Sequence, residues 1–161
     1  MKSFIALFVS LAIATQAFAG VGGDKAVYHG GTIAAKAGEE GVLDLGDPTT
    51  AVFRLDGEKN TPGVRIPYAA ITSIEYGQKA GRRLGAAIAT TILVSPVGLA
   101  LLLSHKRKHI VTLAWTIDGH NEAAVFELGK SAIRPALTTL EARTGKKVEY
   151  ESPDARKNLG L

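Results

Sequence analysis

The chain has 161 residues, 46% of them hydrophobic and 21% charged, with a net charge of +4; this fits one domain with material for a packed core, plus a targeting segment. It contains no cysteine, which excludes disulfides, thiolate nucleophiles, Cys-based zinc sites and a lipid-modified N-terminal cysteine. With Lys2 set aside, 18 Lys and Arg stand against 15 Asp and Glu, a net +3, and the excess gathers beside an apolar run, which points to anionic lipid rather than nucleic acid.

Residues 1–19 read as a secretory signal. Lys2 supplies the positive n-region, Phe4 to Ile13 the apolar h-region, and Ala17-Phe18-Ala19 an A-x-A cleavage site. The h-region is shorter than the ~20 residues a bilayer span needs. The expected location is therefore outside the cytoplasm, on the periplasmic or extracellular side, with residues 20–25 a flexible lead-in.

From Ala26 the pattern turns to strands. Ala26 to Lys36 carries Tyr28, Thr32 and Ile33 but is weakened by Gly30-Gly31 and ends at the turn-like Gly38-Glu39-Glu40-Gly41. Val42 to Leu45 is a short strand, Gly46-Asp47-Pro48 a turn, and Ala51 to Leu55 a strand with Phe53 and Leu55 on one face. Asp56-Gly57 marks a hairpin-type turn, Gly63 to Ile66 returns, and Pro67 to Ala70 connects. In Thr72 to Tyr76, alternation turns Ile74 and Tyr76 to the core and Ser73 and Glu75 to water.

An uncharged run of about twenty residues follows, Leu84 to Ser104, between Arg82-Arg83 and His105-Lys106-Arg107-Lys108-His109. The best strand comes next: Val111, Leu113, Trp115 and Ile117 share one face, with Ile110, Thr112, Ala114 and Thr116 on the other. Asp118-Gly119-His120-Asn121 is a strong turn signal, and Ala124, Phe126 and Leu128 face inward on the return. Over Lys130 to Thr144 the period changes: Ile133, Ala136, Leu137 and Leu140 follow helical spacing, Ser131 is the expected N-cap, Pro135 is tolerable near the first turn, and Gly145 is the C-terminal stop. Lys146 to Tyr150 adds a short extended segment, and residues 151–161 read as a polar, frayed tail.

Six to seven short strands followed by one amphipathic helix make the chain mainly β. The series Ile66-Pro67-Tyr68-Ala69-Ala70-Ile71-Thr72-Ser73-Ile74-Glu75-Tyr76-Gly77, a Trp-bearing hairpin, Phe126-Glu127-Leu128, and Leu140 to Val148 together resemble bacterial pleckstrin-homology-like domains over residues 26 to about 150. The resemblance implies a bent antiparallel sheet or barrel closed by the C-terminal helix, and a non-enzymatic module that presents loops or a sheet edge to lipids, peptides or partner subunits. Two departures stand out. Gly38-Glu39-Glu40-Gly41 occupies the first hairpin loop, where phosphoinositide-binding members are basic, so it would repel phosphates. The other is the apolar insertion, residues 82–108.

Geometry constrains that insertion. If Thr72 to Tyr76 and Ile110 to Ile117 share a sheet, Gly77 and Lys108 emerge on the same side of any membrane, whereas a single helix of about twenty residues separates its ends by about 30 Å. Ser95-Pro96-Val97-Gly98 offers a reversal, so the expectation is a helical hairpin entering one leaflet, with an arm over Leu84 to Val94 about 16 Å long. Its inserting residues would be Leu84, Ile88, Ile92, Leu93, Val94, Pro96, Val97, Leu99, Leu101, Leu102 and Leu103. Arg82, Arg83, Lys106, Arg107 and Lys108 would meet anionic headgroups, each contributing on the order of 1 kcal/mol. The alternative is a soluble subunit whose apolar hairpin docks into a partner protein or a second copy.

Catalytic signals are thin. No G-x-S-x-G, H-E-x-x-H or P-loop occurs. His105 and His109 stand at i, i+4 but bracket three cations, which oppose a metal; His29 and His120 read as structural or exposed, and Glu39-Glu40 as solvated. Trp115, Phe126 and Tyr76 read as core. No catalytic residue, metal, cofactor or small-molecule substrate is assigned.

Overall fold

The computed structural model describes residues 23–57, 62–78 and 108–160. The signal at 1–19 and the inserted hairpin at 84–104 lie outside the described residues. Eight strands form one sheet in the order β4-β3-β2-β1-β7-β6-β5-β8: β1 Asp24–Gly31, β2 Glu40–Asp44, β3 Thr50–Leu55, β4 Val64–Pro67, β5 Ile71–Gly77, β6 His109–Ile117, β7 His120–Leu128 and β8 Val148–Tyr150. A 3-10 turn, Tyr68–Ala70, joins β4 to β5, and two helices follow the main strands, α1 Lys130–Thr144 and α2 Pro153–Asn158. The chain is mainly β, as its alternation of apolar and polar residues predicts.

The β6–β7 hairpin is the centre of the sheet. Its two-residue turn uses Asp118 at φ 51° and Gly119 at φ 78°, the pair of left-handed conformations that matches the twist of the flanking strands. Val111, Leu113 and Trp115 from β6 and Ala124, Phe126 and Leu128 from β7 enter the core. Tyr28, Phe53 and Phe126 pack there with ring centroids 5.0 to 6.1 Å apart. Phe53 and Phe126 sit on strands three places apart in the sheet order, which a flat sheet would hold about 14 Å apart. The sheet therefore curls around its core, leaving β4 and β8 as its edges.

Helix α1 lies on the core side, burying Ala132, Ile133, Ala136, Leu137 and Leu140. Full burial of one such leucine contributes about 2 kcal/mol. Gly145 ends the helix at φ 69°, its N–H donating to the Glu141 carbonyl. The N-cap, however, is Gly129, with no side-chain cap, and Ser131 is already helical. β7 must run to Leu128 to bury that side chain, so one residue is left to turn the corner. Arg143 ties the far end of α1 to the β2–β3 connection: its guanidinium donates to the carbonyl of Asp47 and lies 5.3 Å from the centre of the Tyr68 ring.

Three expectations need correction. The sheet has eight strands rather than six or seven, and it is not wholly antiparallel: β8 pairs with β5 in parallel, Ile74 beside Val148 and Tyr76 beside Tyr150, because α1 carries the chain back before β8 begins. Of the tail expected at 151–161, residues 151–160 are described and are not frayed. Ser152 caps α2 by accepting from the Ala155 N–H, and Ala155 and Leu159 are buried in the main core. Asp24 and Lys25, expected in the lead-in at 20–25, already belong to β1.

Candidate functional site

The site of interest is the neck of the insertion, where β5 ends and β6 begins. Antiparallel pairing continues to Tyr76 beside Val111 and Gly77 beside Ile110, so residues 78 and 108 leave adjacent strand ends. Side chains fasten this neck on both sides. The Tyr76 hydroxyl stands 2.8 Å from His109 Nδ1, and the rings stack with centroids 6.1 Å apart. Burial, with the charge of Lys130, pushes the His109 pKa below its ordinary 6.5, and burial raises that of Tyr76. The hydroxyl keeps its proton and donates to Nδ1 when the neutral imidazole is protonated on Nε2. Tyr150 meets the other edge of Tyr76 at 6.0 Å.

The C-terminal segment holds the outgoing strand. The Gln78 N–H donates to a Glu151 carboxylate oxygen at 3.0 Å, the Asn158 amide donates to Gln78 Oε1 at 3.0 Å, and the Glu151 N–H donates to the Tyr76 carbonyl at 2.8 Å. These bonds explain why the tail is ordered: each end of α2 is tied to the end of β5.

On the incoming side Lys108 Nζ and His29 Nε2 each lie 2.7 Å from the same oxygen of Glu127. With Glu127 ionised, His29 Nε2 carries the proton in that bond. Burial alone would raise the Glu127 pKa, but the bonds from Lys108 and His29 outweigh it and hold the carboxyl below its ordinary value. His29 is 1% exposed, and its Nδ1 has no hydrogen-bond partner among the described residues. It sits in a bulge of β1, since Tyr28 pairs with Phe126 and Gly30 with Val125, an arrangement that re-aims a side chain. Gly31 then runs at φ 135°, where a Cβ would come 2.1 Å from the Ala123 carbonyl oxygen.

Of the residues assigned to headgroups, only Lys108 lies among those described, and it is engaged by Glu127. The eleven inserting residues and Arg82, Arg83, Lys106 and Arg107 lie outside. Glu39 and Glu40 do not converge: Glu39 accepts from the Lys36 N–H in the turn, and Glu40 opens β2. His120 is exposed at the start of β7, and Trp115, Phe126 and Tyr76 are buried core. No cluster of three or more potential metal ligands occurs among the described residues. None of the described helices is long and apolar enough to cross a membrane.

The His29–Glu127–Lys108 cluster and the Gln78–Glu151–Asn158 chain escaped the sequence reading. The one signal was the Gly30-Gly31 pair, which in a strand context marks a bulge. No protein-family model matches the chain, and no curated protein matches it in sequence.

Proposed function

We propose that the chain is an exported, non-enzymatic, membrane-associated binding module of pleckstrin-homology-like architecture, held to the bilayer by residues 84–104 as a re-entrant hairpin. The observation that supports this reading is the pairing of Gly77 with Ile110. Both ends of the insertion leave one point of the sheet, so a single span would need a second crossing to return, and a hairpin does not. Arg82, Arg83, Lys106 and Arg107 flank the apolar residues on both sides and would all sit at headgroup level. The test is fractionation of cells expressing the full chain. The protein is expected to stay with the membrane pellet through high salt and an alkaline wash; release by salt alone would contradict insertion.

The alternative reading is docking of the apolar segment into a partner protein or a second copy. Under that reading, replacing residues 84–104 by a short Gly/Ser linker abolishes oligomers in detergent-free buffer; an unchanged oligomeric mass would exclude it.

A further inference from the structure

The strand order brings the residues that adjoin segments 1–22 and 79–107 to one end of the sheet. β1 opens at Asp24, directly after the region containing Phe4 to Ile13. Ala26 of β1 pairs with Leu128 of β7, Leu128 pairs with His109 of β6, and Ile110 pairs with Gly77 of β5. The three points where residues 1–22 and 79–107 join the sheet therefore lie at neighbouring strand ends, three strand intervals or about 14 Å apart measured along the sheet. The antiparallel pairing of β1 with β7 decides this; a parallel β1 would open at the opposite end.

At the neck end Lys25 and Lys130 are exposed, and the Asn158–Gln78 bond brings in α2 with Arg156 and Lys157, also exposed. Among the acids there, Glu127 is bound by Lys108 and His29, and Glu151 accepts from the Gln78 N–H. Asp24 and Asp154 offset two of the cations, and Arg82, Arg83, Lys106 and Arg107 add four positive charges close by in the chain. At the opposite end the β6–β7 turn presents Asp118, Gly119 and His120, all exposed, and Lys36 and the pair Lys146 and Lys147 are exposed toward that end as well, so it is the strand junctions that single out the neck.

We infer that the neck end, with Lys25, Lys130, Arg156 and Lys157, is the surface apposed to an anionic bilayer, and that the turn at Asp118 and Gly119 points away from it into water. This rests on the membrane reading above and adds an orientation to it.

The lack of cysteine makes the test clean. Lys25→Cys, Lys130→Cys and Asp118→Cys are made singly in the full chain, labelled with a polarity-sensitive fluorophore, and mixed with vesicles of phosphatidylcholine and phosphatidylglycerol in equal parts. Labels at 25 and 130 are expected to shift to the blue and become several-fold less accessible to iodide, while the label at 118 is unchanged. Protection at 118 equal to that at 25 and 130, or protection at none of the three while the protein still sediments with vesicles, would overturn the orientation and leave the membrane reading standing. Failure of the protein to sediment with vesicles at all would overturn both.

Discussion

Strand β6 is joined to its neighbours in two very different ways. At one end the two residues Asp118 and Gly119 connect it to β7; at the other, residues 78–108 connect it to β5. The short turn fixes its register mainly through backbone conformation, with an exposed bond from Thr116 to Asn121 beside it. Closing the long connection costs about 2 kcal/mol more in chain entropy, and the turn geometry contributes nothing to the register. Side chains do that work instead: Tyr76 with His109, Gln78 with Glu151 and Asn158, and Lys108 with Glu127 and His29. At about 1 kcal/mol for each net hydrogen bond, the neck offsets the entropy of its own loop. A long insertion in a small sheet thus leaves a recognisable trace, a concentration of side-chain bonds at its base.

The largest effect should erase the difference between the ends. Phe126→Ala removes a fully buried ring shared by both halves of the curled sheet and is expected to cost about 3–5 kcal/mol in chemical denaturation. Loss of structure at only one end, read by hydrogen exchange, would contradict a common core. Next, Glu127→Ala strands Lys108 and buried His29 at the neck, for about 2 kcal/mol. Thr116→Ala removes a bond to Asn121 on the exposed turn side and should change stability by no more than about 0.5 kcal/mol. Equal costs for these two would remove the contrast.

Between those effects lies a dependence on pH. The folded-state pKa of His109 is depressed, so its contribution is present above 6.5 and is lost as pH falls below that value through the folded pKa. Protonated Nδ1 no longer accepts from Tyr76. Amide exchange at Gly77 and Ile110 should therefore quicken, after correction for intrinsic rates, as pH falls below 6.5, while exchange at Thr116 does not; His109→Asn should remove the difference. Glu127 titrates lower, its contribution present above 4.5 and lost on further acidification. Glu127→Gln is expected to flatten the acid limb of the stability curve.

The two ends were also unequally legible. The β6–β7 hairpin and α1 are written in local pattern: alternating Val111, Leu113 and Trp115, an Asp-Gly turn, then Ile133, Ala136, Leu137 and Leu140. The neck is written in pairs far apart in the chain, Gln78 with Glu151 and His29 with Glu127, which no local period reveals. α2 was missed because only Ala155 and Leu159 bury, too few for an amphipathic pattern over six residues, and because its order depends on the end of β5. The parallel pairing of β8 is likewise a tertiary result: three residues carry no signal for which neighbour they will choose.

On the proposed reading, residues 84–104 attach the domain to a membrane and the β5–β6 pair forms without them. Replacing residues 79–107 by Asn-Gly tests both parts at once. The variant is expected to fold, to gain about 2 kcal/mol from the shorter closure, and to move wholly into the soluble fraction. A variant that remains in alkaline-washed membranes, or that cannot form the β5–β6 pair without the insertion, would contradict it.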